Sequence, residues 1–394
     1  MFRKSLIVKY VFTIVLFSAV ICSVVRCHQS APKPSFIQIL DTAKHYLNTN
    51  DTVKYVGMHT CMLCHQSIHD SFMHTGMGKS FDRASKKKSS AYFGPHEVVY
   101  DKAKDFYYHP FWKADSLYIL EYRLQGTDTI YKREQQINYI IGSGQHTNSH
   151  IYKVNGYLYQ APITFYTQEG KWDLAPGFSD GFNSRFTREV GLECMNCHNS
   201  YPDFVEGSTN KFVSVPSGIA CERCHGPGDL HVKAIQLGHI IDTTKAIDYT
   251  IVNPAKLPVD LQVDVCQRCH LQGNSVLKPG KSYYDFRPGT NLSDMEDVFM
   301  PKYEGMQDEF IMASHIARLK MSKCYMESSD KSPPMGGIEE CRFEALSQFT
   351  YLCYLSRSSC RCSFSGRDRV QYYLSELPWK EGNASLYRKY RSQE

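Results

Sequence analysis

The chain has 394 residues, enough for two domains or one large one, and its 42% hydrophobic content allows a sizeable core. A formal charge of +5 is close to balance and gives no case for nucleic-acid binding. Aromatic residues reach 13%, with 27 Tyr, and the 15 Cys are spread very unevenly.

Residues 1–26 read as an export signal or membrane anchor. A basic start, "MFRKSLIVKY", precedes an apolar run of about 15 residues, the length of a signal-peptide core rather than a full span. No small-x-small cleavage site is evident. Cys27 before a polar tether has a lipoprotein look, but Arg26 breaks the small-residue requirement. Residues 27–55 are a linker with a short helix in "SFIQILDTAKHYL". Residues 56–90 hold a first Cys/His motif and end in the basic run "RASKKK", expected as a solvated loop. Residues 91–175 change texture to Tyr/Phe/Ile alternation with turn breaks. There "HIYKVNGYLYQ" puts Asn-Gly between alternating segments, a strong hairpin signal. Residues 176–324 carry three more motifs and are expected as helix and irregular loop. "DEFIMASHIARLKMSKC" (308–324) has an amphipathic helical pattern. Residues 325–394 hold further Cys without spacing logic, and no site is recognisable there.

Eight of the 15 Cys form four copies of C-x-x-C-H. They are Cys61/Cys64/His65, Cys194/Cys197/His198, Cys221/Cys224/His225 and Cys266/Cys269/His270. This is the attachment pattern for c-type haem. On one helical turn, positions i, i+3 and i+4 share a face. Both thiols then reach the vinyl groups of one porphyrin, and the histidine lies under its iron. A zinc ribbon also uses C-x-x-C pairs, and a disulfide framework suits an exported chain. Neither explains a histidine after every pair. About four covalent haem c groups are therefore expected, with an α+β fold: mainly helix and loops around haems, plus the β-rich insertion at 91–175.

Four irons ask for sixth ligands unless one is left open. In "ACERCHGPGDLH", His231 follows His225 by six residues. Wrapping the porphyrin edge within about 20 Å of extended chain is strained. The Gly-Pro-Gly turn sends His231 more easily to a neighbouring haem. His74, nine residues after His65, and His146 and His150 in "GSGQHTNSH" are further candidates. His69 at i+4 from His65 packs more naturally beside its own haem. His239 and His315 are weaker.

The stretches "YVGMHTCMLCHQSIHDSFMHTGMGKSF", "GLECMNCHNSYPDF", "GIACERCHGPGDLHV" and "VCQRCHLQG" resemble the cytochrome c-554 family of multihaem c-type cytochromes. Similar proteins by these motifs are large exported cytochromes of Bacteroidetes-type bacteria, often with tetratricopeptide repeats further on. The resemblance spans about residues 52–324. It implies that His74 and His231 are axial ligands to haems other than those of their own motifs, with His146 and His150 as candidates. It also implies a further C-x-x-C-H soon after Cys324, where this sequence departs. A frameshift or truncation after about residue 330 is the expectation there. The functional expectation is an exported electron-transfer cytochrome. It would face the periplasm, free or attached through its N-terminus, and serve a redox protein or a quinone-linked donor or acceptor. The alternative is an oxidoreductase acting on a small nitrogen or sulfur compound at a five-coordinate haem, for which no catalytic residue is readable.

Overall fold

The computed structural model describes residues 35–299 apart from His96 and Gln272, and residues 315–321. The signal or anchor segment, Cys27, Cys324 and the C-terminal segment lie outside the described residues. The chain divides into two compact units, residues 1–45 and 46–394. In the first, α1 (Phe36–Thr42) starts at a capping box: the Ser35 hydroxyl accepts from the Gln38 N–H, and the Gln38 side chain accepts from the Ser35 N–H.

The second unit opens its regular structure with two short helices, α2 (Met58–Met62) and α3 (Gln66–Phe72). Ten strands follow: β1 (Phe81–Arg83), β2 (Val99–Asp101), β3 (Phe106–Lys113), β4 (Ser116–Gln125), β5 (Asp128–Ile137), β6 (Tyr139–Ile141), β7 (Thr147–Val154), β8 (Tyr157–Tyr166), β9 (Lys171–Leu174) and β10 (Arg188–Glu189). All pairings are antiparallel. One sheet runs β2-β3-β4-β5, the other β1-β6-β7-β8-β10 with β9 also on β8.

The alternation of the sequence explains the packing. Along β4, Leu117, Ile119 and Glu121 are buried while their neighbours are half-exposed, as a period of two requires. Leu117, Ile119, Tyr108 and Phe106 from one sheet share a core with Ile140, Ile163, Phe165 and Trp172 from the other. The two sheets therefore form a sandwich around that core. The expected Asn-Gly hairpin forms between β7 and β8. Asn155 (φ 50°) and Gly156 (φ 91°) both take left-handed backbone, which suits a tight type I′ connection. Glu121, fully buried, is neutralised by Arg185, whose guanidinium also reaches the Tyr131 hydroxyl at 2.7 Å.

Beyond the sandwich come α4 (Leu192–His198), the small hairpin β11 (Asp203–Phe204) with β12 (Phe212–Ser214), α5 (Glu222–His225), α6 (Asp229–Gln236), α7 (Val259–Gln267), the hairpin β13 (Asn274–Leu277) with β14 (Glu296–Phe299), and α8 (His315–Met321). Among the described residues the longest helix is α7, with nine residues. Helices this short are marginal on their own and depend on what they pack against. Val252, Leu257, Val265, Phe286, Leu292 and Met295 supply one small core, and Ile316 and Leu319 of α8 pack on Val263 of α7. No described helix is long and apolar enough to cross a membrane.

One expectation needs correction. The basic run is not uniformly solvated. Lys88 is half-buried and donates to the Lys79 and Gly142 carbonyls, and burial pushes its pKa down to about 8. It ties the loop after α3 to the sandwich.

Candidate functional site

Each C-x-x-C-H closes a helical turn. The histidine N–H bonds the carbonyl of the first cysteine in three of them: His65 to Cys61 at 3.0 Å, His225 to Cys221 at 3.0 Å and His270 to Cys266 at 2.9 Å. In the remaining one, Cys194, Cys197 and His198 all lie within α4. Both thiols and the imidazole of each motif thus share one helical turn, as attachment to one porphyrin requires.

The motifs touch across the chain. The Cys61 and Cys221 thiols lie within electrostatic reach of each other, and so do those of Cys197 and Cys269; the Cys61 and Cys269 sulfurs also donate to the Gly57 and Asn196 carbonyls, each at 3.6 Å. Cys224 lies within electrostatic reach of both Cys266 and Cys269. The first motif therefore adjoins the third, and the second, third and fourth adjoin one another. Burial raises the thiols of Cys224 and Cys266, the latter to about 12, so these stay protonated rather than acting as thiolate nucleophiles. Among the described residues no three His, Cys, Asp or Glu side chains converge on a point.

Cys64 departs from this packing. The spacing pairs it with Cys61 on one porphyrin, yet Cys61 is half-buried against the third motif and Cys64 is exposed, as is Cys194 of the second motif. The physical reason is position. The first and second motifs each turn one cysteine inward to a neighbour and the other outward. Helix α2 also buries none of its own side chains, and so offers Cys64 no cover. The Cys64 N–H still bonds the Cys61 carbonyl at 3.3 Å, which keeps it on the turn.

Backbone and side-chain anchors set the first motif against the third. Glu222, 2% exposed, accepts from the N–H groups of Val56 (2.8 Å), Gly57 (2.8 Å) and Gly228 (2.9 Å). Buried Asn48 donates to the carbonyls of His225 (2.9 Å) and Pro227 (3.2 Å), holding the Gly-Pro-Gly turn. The Ile219 N–H bonds the Met77 carbonyl at 3.2 Å. Gly218 there meets Gly78 backbone to backbone, where a Cβ would run into the Gly78 carbonyl. This close approach explains Gly218, while Gly78 of "HTGMG" is required by the Phe72 carbonyl, which a Cβ there would meet at 2.5 Å.

The turn delivers His231 to His65. Their ring centroids are 6.4 Å apart and their planes 21° from parallel. Two metal–imidazole bonds of about 2 Å plus two ring radii of about 1 Å come to roughly 6 Å, so the gap fits one iron between them. The Nδ1 of His231 faces Asp248 Oδ2 at 3.0 Å and Thr250 Oγ1 at 3.2 Å, which leaves Nε2 for a metal. Burial opposes ionisation of Asp248, but hydrogen bonds from His231 and Thr250 outweigh it and hold the carboxyl below its ordinary value. His225 likewise donates Nδ1–H to the Val252 carbonyl at 2.8 Å. Leu63 and Ile68, beside His65, are 70% and 66% exposed, an apolar surface that a porphyrin would cover together with the outward Cys64 thiol. These residues fit covalent haem.

The other histidines fare differently. His74 and His146 are both exposed, on loops that adjoin: a Cβ at Gly76 would stand 3.8 Å from Gln145 Oε1 and from Ser143. His69 contacts Asp70 at 3.0 Å. His315 meets His270 Nδ1 to Nδ1 at 3.0 Å with centroids 4.6 Å apart, too close for an iron between them. That contact leaves the Nε2 of His270 for metal, a supporting role the sequence does not reveal.

His150 departs from expectation. It is fully buried in the sandwich, stacked on Trp172 at 4.9 Å, with Nδ1 on the Ile163 carbonyl at 3.2 Å and Nε2 covered. An iron needs an open Nε2, so His150 serves the sandwich core. Burial pushes its pKa down to about 4, with the Ile163 bond partly opposing. The unfolded imidazole takes up a proton below about pH 6.5. Its stabilising contribution is therefore intact above pH 6.5 and is lost as pH falls toward 4, on the order of 3 kcal/mol. The H150F variant should lose that part of the acid sensitivity. Denaturant unfolding of both proteins at pH 7 and pH 4.5 checks it; an identical pH response would refute it.

The class of protein that these four turns define is a multihaem c-type cytochrome. The family description that matches the sequence is "Cytochrome c554 and c-prime", over residues 180–226, which takes in the second motif and the third as far as Gly226. The resemblance read from the sequence runs wider, over about residues 52–324. Among solved structures, the outer cell wall cytochrome OcwA is similar at 18% identity and a TM-score of 0.36, over 62% of this chain and 45% of that one. The undecaheme cytochrome from the S-layer of Carboxydothermus ferrireducens gives 18% identity and a TM-score of 0.23, over 64% and 39%. The chain spans less than half the length of either. No curated protein matches it.

Proposed function

We propose that the chain carries about four haem c groups and passes electrons between redox partners on the exported side of the membrane. The observation that carries this is the row of motifs. Cys61 against Cys221, Cys224 near Cys266 and Cys269, and Cys269 against Cys197 bring all four attachment turns into one connected series. Haem iron cycling between ferric and ferrous states supplies the chemistry, and no bond to a substrate need form.

The chain's own residues tether, ligate and tune. The eight motif cysteines hold the porphyrins. His65, His198, His225 and His270 act as proximal ligands, and His231 as the distal ligand of the first haem. His74 and His146 stand together as candidates for a further iron. Ferric haem with two ionised propionates adds about −1 each, so four would bring the formal +5 near neutrality. Such a surface suits transient docking of a redox protein or a quinone-linked donor.

The test is a reduced-minus-oxidised spectrum with pyridine haemochrome quantitation on protein matured by an export-side haem-attachment system. About four haems per chain, all low-spin, is the expected result. A high-spin share of about one quarter would favour an oxidoreductase with an open iron. Protein without haem but with bound zinc would overturn the reading.

A further inference from the structure

Two permanent cations are buried where the second, third and fourth motifs meet. Arg223 is 2% exposed and Arg268 is 3% exposed. Arg223 Nη2 reaches out of the third motif to the second, donating to the Asn196 carbonyl at 2.6 Å and to its side-chain oxygen at 2.5 Å. Its Nε and Nη1 are buried without a hydrogen bond, and so are both terminal nitrogens of Arg268. Both guanidinium groups lie over aromatic faces, Arg223 over Tyr284 at 4.7 Å and Arg268 over Phe286 at 5.3 Å; the buried Glu296 carboxyl, whose pKa burial raises, lies within electrostatic reach of Arg268. Both act on the sulfurs of Cys197, Cys224 and Cys269. Thioether formation at Cys269 removes the polar S–H neighbour that Arg268 has there.

The opposite sign surrounds the first motif. Its partner imidazole, His231, is hydrogen-bonded to the Asp248 carboxylate at 3.0 Å. The Glu222 carboxylate acts on the sulfurs of Cys61 and Cys221. A carboxylate on the far nitrogen of a ligating imidazole raises its basicity and favours the ferric state. A buried cation in a low-dielectric interior favours the ferrous state, which carries one positive charge fewer.

Building on the haem c reading above, we propose that this charge polarity builds a potential gradient into the array. Asp248 and Glu222 hold the first haem lowest. Arg223 and Arg268 hold the second and fourth highest, and the third, which feels both signs, lies between. Electrons arriving at the first motif run downhill toward the second and fourth, so the donor docks at the first-motif end.

Spectroelectrochemical titration of matured wild type, D248N and R268Q tests this. Pyridine haemochrome quantitation comes first; a wild type without haem would sink the functional reading itself, separately from the gradient. D248N should raise the lowest midpoint by about tenfold in the redox equilibrium, 59 mV for one electron. R268Q should lower one of the highest midpoints by a similar factor, and R268K, which keeps the charge, should leave it near wild type. An unchanged spread of midpoints, or D248N moving the highest and R268Q the lowest, would overturn the gradient. Should R268Q fail to mature, D248N alone still decides, because a fixed lowest midpoint would refute the assignment of Asp248.

Discussion

Replacing His231 with glycine is expected to leave every haem attached and to turn about one quarter of the haem high-spin. Attachment depends on the cysteines, which the substitution does not touch. The spin change follows from the geometry: His65 and His231 stand with centroids 6.4 Å apart, and Asp248 and Thr250 occupy the other nitrogen of His231. Without that imidazole, the first iron keeps only His65. In the ferrous state it should bind carbon monoxide, which wild-type protein with six-coordinate irons does not. Added imidazole should restore the low-spin spectrum, since the small ligand fits where the side chain was removed. Electronic absorption and electron paramagnetic resonance read both states. A spectrum that stays fully low-spin, with no carbon monoxide binding, would remove His231 from the ligand set.

The second large effect concerns Glu222. The E222A variant should cost about 3–5 kcal/mol, because three backbone N–H groups lose a charged acceptor and hydrogen bonds to charged groups contribute about 1.5–3 kcal/mol each without adding fully. Two of those donors belong to Val56 and Gly57, just before the first motif, and one to Gly228, just after the third. Losing the carboxylate therefore frees one motif from the other rather than softening a single loop. E222Q keeps the shape and one acceptor oxygen, so its loss should be intermediate. Thermal unfolding of matured protein gives the ranking. A change under about 0.5 kcal/mol for E222A would show that the anchor is dispensable.

Much of this site is legible in the sequence because its signals are local. The cysteine spacing specifies a helical turn, Asn155-Gly156 specifies a hairpin, and Gly226-Pro227-Gly228 turns the chain so that His231 leaves its own motif. What is not legible is carried by residues with no local signature. Glu222 and Arg223 fill the variable positions of a motif and read as ordinary charges, yet both are buried. Cys61 and Cys64 are equivalent in the spacing, and only the neighbouring third motif makes one inward and the other outward. Asn48 lies in a linker-like stretch and holds a turn at Pro227, 179 residues on. Lys88 ends a run of three lysines, and only the fold separates it from its exposed neighbours. His150 and His146 share one short stretch, but the pleat of β7 and the turn before it send one into the core and leave the other at the surface. The fold class is partly readable for the same reason: alternation announces strands, whereas the pairing of β1 with β6 and of β10 with β8 depends on contacts between distant segments.

The contrast between a sandwich with its own core and helices of nine residues or fewer among the described residues also divides where stability comes from. The strands bury Leu117, Ile119, Ile163 and Phe165 against one another and need nothing from outside to do so. The helical turns have only small apolar clusters of their own. The sandwich therefore has a core of its own, whereas the attachment turns depend on what they pack against. Since β1 and β10 bracket the sandwich in sequence, its closure also brings the first motif and the second, 133 residues apart in the chain from Cys61 to Cys194, toward the same assembly.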